Sequence, residues 1–179
     1  MKKISVLLLA FCLTACLGTT PASNFYQLAA ADNVAPVSQR RISIRIDEVS
    51  VPRYLDRPQI VTFEPNGTQL NIAEFDRWAE SYSTGLSRIL ADDISAYLPK
   101  AVVKFQAISD ENFTYTVETE INRFDAVLGQ EIKLDAWWTV YKNGRMVIRE
   151  RSRLQLPVGN SYQNLVVAES ALIGQLARQ

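Results

Sequence analysis

The stretch EIKLDAWWTVYKNGRMVIRERSRLQL, Glu131 to Leu156, decides the fold. Lys142-Asn143-Gly144 interrupts two long runs rich in apolar, β-branched and aromatic residues. Asn-Gly between such runs is the strongest short hairpin signal, because a tight two-residue turn needs positive φ at both positions. The reading is a pair of antiparallel strands, Glu131 to Tyr141 and Arg145 to Leu156. In the first, alternation puts Leu134, Ala136, Trp138 and Val140 on one face and Asp135, Trp137 and Thr139 on the other. A tryptophan set among polar residues has the composition of an interface, where aromatic anchors are enriched. Trp137 is therefore a candidate partner contact, and burial under a helix is the alternative.

Working outward, Phe113 to Asp125 reads as a third long strand, with Glu118 and Glu120 on a wet face beside Thr114 and Thr116. Val102 to Phe105 is a short strand. Helical periodicity appears on both flanks. From Ser81 to Leu98, residues Tyr82, Leu86, Ile89, Leu90, Ile94 and Tyr97 recur at three- and four-residue steps, and Pro99 stops the run. The opposite face, with Ser87, Arg88, Asp92, Asp93 and Ser95, is expected in solvent. A second helix spans about Tyr162 to Arg178.

Nearer the start, Arg41 to Asp47 alternates so that Ile42, Ile44 and Ile46 share a buried face. Ile60 to Phe63 and Gln69 to Ile72 answer each other across a turn on Asn66-Gly67. The sum is an α/β domain of two main helices on a mixed, largely antiparallel sheet, with strand order left open.

The N-terminus has another character. Met1, Lys2 and Lys3 precede the apolar block Ile4 to Leu13, the layout of a secretory signal and too short to span a bilayer. Leu13-Thr14-Ala15-Cys16 resembles the lipobox of bacterial lipoproteins, which implies cleavage before Cys16 and lipidation of its thiol. Two or three acyl chains hold a protein stably on a membrane where one does not. Leu17, rather than Asp, follows the cysteine, and by resemblance to sorted lipoproteins this implies the outer membrane, facing the periplasm. The predicted organisation is a signal peptide over 1–15, a lipidated N-terminus and tether over 16–40 in which 24–28 docks on the domain as an extended strand, and a single domain over 41–179.

Composition narrows the chemistry. Removing residues 1–15 takes two of 19 basic side chains and none of the 19 acidic ones, leaving a formal charge of −2 and no basic field for nucleic acid. Histidine is absent, which removes the commonest general base and metal ligand. With Cys12 discarded and Cys16 lipidated, no thiol remains for a disulfide, catalysis or metal. There is no Gly-rich phosphate loop, Gly-x-Ser-x-Gly elbow or His-Glu-x-x-His. The expectation is a protein that is not an enzyme and carries no cofactor.

Two segments stand out as a signature: VPRYLDRPQIV, Val51 to Val61, and AEFDRWAESYSTGLSRILADDISAYLP, Ala73 to Pro99. With the lipobox and Phe25-Tyr26-Gln27-Leu28 they resemble the ABC-type transport auxiliary lipoproteins, the PqiC/YmbA-like family. The resemblance implies a three-layer α/β sandwich like the TolB N-terminal domain. It also implies work beside a periplasmic MCE-domain protein and its inner-membrane permease, in lipid transport or envelope integrity. A ring of copies would suit a ring-shaped tunnel partner. The competing role is an outer-membrane assembly or cell-wall-synthase activator lipoprotein. Within the signature, Pro52, Leu55, Pro58 and Trp78 read as structural. Tyr54, Asp56 and Arg57 lie in a polar loop and are candidate partner contacts as much as packing residues.

Overall fold

At the decisive hairpin, Asn143 and Gly144 take φ of 48° and 75°, and the turn joins β7 (Glu131–Lys142) to β8 (Arg145–Pro157). The computed structural model describes residues 21–32, 34–106 and 112–179. Ahead of the hairpin come β1 (Asn24–Tyr26), β2 (Ser43–Ile46), β3 (Gln59–Phe63), β4 (Leu70–Trp78), α1 (Tyr82–Tyr97), β5 (Val102–Phe105) and β6 (Tyr115–Ala126); α2 (Tyr162–Ala177) follows it.

The α/β sandwich with two helices is present, but its strands divide between two mixed sheets instead of one. The larger has the order β5-β2-β6-β7-β8, with β2 parallel to both neighbours and the remainder an antiparallel meander. The smaller has the order β1-β4-β3, with β1 parallel and β3 antiparallel to β4. The division has a local cause. After β2 the chain still runs beside β6 as far as the bridge Ser50–Glu120, and there Pro52, which has no N–H to offer a ladder, turns it away. β3 begins past Pro58, in the other sheet. β4 also runs longer than its alternation suggests, because a register irregularity separates the Val61–Ile72 and Gln59–Arg77 pairs.

The core lies between the helices and the sheets. Ile46, Leu86, Ile89, Phe124, Ile132, Leu134, Leu165 and Leu172 are all at most 1% exposed. Each such side chain contributes roughly 1.5 to 3 kcal/mol by leaving water. Ser161 caps α2 by accepting from the Asn164 N–H at 3.2 Å. The helices are joined by a buried polar contact, in which the Tyr82 hydroxyl donates to Glu169 Oε2 at 2.9 Å. Burial pushes the Glu169 carboxyl up to about 8. The Trp78 ring stacks on Tyr82, with centroids 4.7 Å apart and planes 25° from parallel.

One expectation needs correction. Only part of the polar side of α1 is a solvated face: Asp92 is exposed, but Ser87 and Asp93 are both fully buried. The reason is the N-terminal segment and the loop after β2, which lie across the helix and need partners for their backbone. Ser87 Oγ accepts from the Val49 N–H at 2.8 Å and donates to the Ser83 carbonyl at 2.7 Å. Asp93 Oδ1 accepts from the Ala31 N–H at 2.6 Å, and Arg88 donates to the Leu28 carbonyl at 3.2 Å. Buried backbone groups outside a ladder take side-chain partners in this way. The segment stays on the domain beyond Leu28: the Ala29 N–H donates to Ser170 Oγ and the Val37 N–H to the Tyr97 carbonyl.

Candidate partner-binding site

The outer face of the larger sheet follows from strand alternation and register. Cross-strand partners point to the same side, so three rows form across β6, β7 and β8: Arg123–Asp135–Arg153, Glu120–Trp137–Arg151 and Glu118–Thr139–Arg149. The alternative reading of Trp137, burial beneath a helix, does not occur. Its half-buried ring lies under two guanidiniums, Arg149 at 5.2 Å and Arg151 at 5.7 Å from the centroid. Such contacts are attractive through the ring quadrupole and hold the indole in place.

The charges around it are segregated. β8, an edge strand, presents Arg149, Arg151 and Arg153; β6 presents Glu118 and Glu120 beside Trp137, with Arg123 farther along. Asp135 accepts from Arg151 Nε and Nη2 at 2.7 and 2.6 Å and from Arg153 Nε at 3.4 Å. These bonds, Arg151's first, hold its carboxyl below the usual range. Tyr141 donates to Glu118 Oε2 at 3.0 Å, which raises the phenol's pKa. A depression of about 280 Å³ opens beside Trp137, between Arg149 and the β6 glutamates, with Glu48 and Ser50 on its far wall. The chemistry offered is recognition: an oriented aromatic plane between an acidic and a basic border.

The signature loop lies elsewhere. The Pro52 carbonyl accepts from the Leu55 and Asp56 N–H groups at 2.9 and 3.3 Å, and the Trp78 N–H donates to the Pro58 carbonyl at 2.7 Å. Leu55 and Trp78 are buried. Tyr54 packs its ring edge-on against Phe63 and donates to Asp125 Oδ1 at 3.1 Å, so the loop ties the smaller sheet to β6. Burial, then the Asp125 charge, raises the Tyr54 pKa. Asp56 is exposed, and Arg57 is half-buried with its Nε buried and unpartnered. Asp125 is five residues along β6 from the partner of Trp137, roughly 16 Å at strand rise. The loop candidates and Trp137 therefore do not converge on one site. Cys16 lies outside the described residues. The reading of the sequence missed the arginine row, although Arg149, Arg151 and Arg153 recur every second residue, the period of a strand face.

Among the described residues no helix is long and apolar enough to cross a membrane. Two solved structures share the fold. One, an uncharacterized protein, is 21% identical, covers 88% of this chain and 95% of its own, and superposes with a TM-score of 0.73. The other, a Xanthomonas campestris protein of the DUF330 family model, is 15% identical over 87% of this chain and 90% of its own, with a TM-score of 0.72. No curated protein matches. The model of the ABC-type transport auxiliary lipoprotein component spans residues 26–179, and the chain belongs to that family.

Proposed function

We propose that the protein is a non-catalytic, lipid-anchored outer-membrane component of an intermembrane transport system, docking a periplasmic MCE-domain tunnel protein served by an inner-membrane ABC permease. Membership in a transport-auxiliary lipoprotein family supports the class. The observation that carries docking is the open sheet face, where Trp137 is held between Arg149 and Arg151. Segregation of charge also suits a ring, because a head-to-tail contact sets one copy's arginine row against the next copy's glutamates and closes without a free edge.

A photo-crosslinker at position 120, the exposed cross-strand neighbour of Trp137, tests the partner. Capture of an MCE-domain protein supports the reading, while capture of a penicillin-binding or lipopolysaccharide-export protein replaces it with the assembly or cell-wall role. Trp137→Ala is expected to dissociate the ring in sedimentation and leave the monomer's melting temperature within a few degrees of wild type. A wild-type chain that sediments as a monomer at every concentration removes the ring.

Anchoring has its own test. Cys16→Ser is expected to give an uncleaved or soluble periplasmic protein that still folds, and firm retention in the outer membrane would contradict lipidation there. Leu17→Asp is expected to move the protein toward the inner membrane.

A further inference from the structure

β1 is an edge of the smaller sheet and the first strand among the described residues. On one of its faces, Asn24 and Tyr26 both donate to Asp76, and the neighbouring Trp78 is buried. Phe25 therefore points the other way, and it is 66% exposed, the highest value among the large apolar side chains of the described residues. Its partner in the ladder is Arg77, which is paired on the far side with Gln59. Two residues before Gln59 is Arg57. Both arginines have a buried Nε without a partner, and among the described residues neither joins an ion pair. The acidic neighbours, Asp56 and Glu74, are exposed and bond to neither.

Half-buried guanidiniums ordinarily find a carboxylate in their own chain. Two that do not, one of them the ladder partner of an exposed aromatic ring, have the composition of a membrane-surface contact, in which the ring enters the interface and the cations meet anionic headgroups. Chain length fixes which surface that is. Phe25 lies nine positions after Cys16, about 30 Å at full extension. The segment after Phe25 adds no reach, because it is bonded to α1 and α2 as far as Val37.

We infer that the face of the smaller sheet carrying Phe25 and Arg77, with the loop of Arg57 leading into it, lies against the anionic leaflet that holds the lipid anchor, fixing the domain's orientation on the membrane. This rests on lipidation of Cys16. The sheet face around Trp137, on the other sheet, remains free for a protein.

The test uses the lipidated chain reconstituted in phosphatidylethanolamine/phosphatidylglycerol vesicles. Cys16 is blocked by its thioether, so Phe25→Cys supplies the one thiol for a nitroxide label, and Val167→Cys on α2, 60% exposed, is the control. The ratio of oxygen to nickel-chelate collision rates is expected to be several-fold higher at position 25 than at 167. Arg57→Glu with Arg77→Glu, or vesicles of phosphatidylcholine alone, should lower it. Circular dichroism confirms that the charge-reversed protein is folded. A water-like label at position 25 on a protein that floats with the vesicles overturns the docking and leaves the anchor standing. A label reached by neither reagent marks a protein contact and also overturns it. A protein that does not float overturns the anchor and the docking with it.

Discussion

Raising the pH from about 4.5 to about 8 is expected to remove on the order of 5 kcal/mol of folding stability through one side chain, Glu169. Its carboxyl is fully buried and titrates in the folded state near 8, against 4.5 for the ordinary group. Burial is the dominant cause, and the hydrogen bond from Tyr82 opposes it. Between those two values the folded protein keeps a proton that the unfolded chain has released. Stability is therefore complete below about 4.5, falls as pH rises, and levels off above about 8. Each pKa unit is worth about 1.36 kcal/mol. Asp93, raised mainly by burial, acts in the same direction. Glu169→Gln keeps an acceptor for the Tyr82 hydroxyl and carries no charge. It is expected to match wild type near pH 5 and exceed it near pH 8, leaving only the Asp93 slope. Denaturant titrations across this range check it, and parallel curves for the two proteins would refute the assignment.

Trp78→Ala is expected to destabilise the domain by about 3 to 5 kcal/mol, the range for large-to-small core changes. The ring is 7% exposed and stacked on Tyr82, and its backbone N–H holds Pro58, so one residue joins β4, α1 and the signature loop. Truncation opens a cavity above Tyr82 and loosens the hydroxyl that solvates Glu169. Trp78→Phe keeps the stack and should cost less. A Trp78→Ala melting curve close to wild type would place the ring outside the core.

Much of this architecture was legible in the sequence where one local signal sufficed. Asn143-Gly144 and Asn66-Gly67 specify their turns, and the apolar steps of Tyr82 to Tyr97 and of Leu165 to Leu176 specify helices. What stayed hidden depended on distant segments. Periodicity reports that Ser87 and Asp93 are polar, but their burial follows from Val49 and Ala31, 38 and 62 residues away. The division into two sheets follows from where Pro52 and Pro58 carry the chain, which alternation within a strand does not encode. At the candidate site, strand alternation put Trp137 on the face opposite Leu134 and Ala136. The flanking arginines became meaningful only once register set them over that ring.

The position of β2 in the larger sheet governs how the protein folds. It is made early, yet both its neighbours, β5 and β6, come later, and Ile44 pairs with Tyr115, 71 residues on. Closing such a loop is entropically slow, whereas the β6-β7-β8 meander needs only adjacent segments. The meander should form first, and β2 should enter last as a parallel insert. Until then its isoleucines have no permanent cover, and the emerging chain should stay open to aggregation longer than an all-meander sheet of equal size.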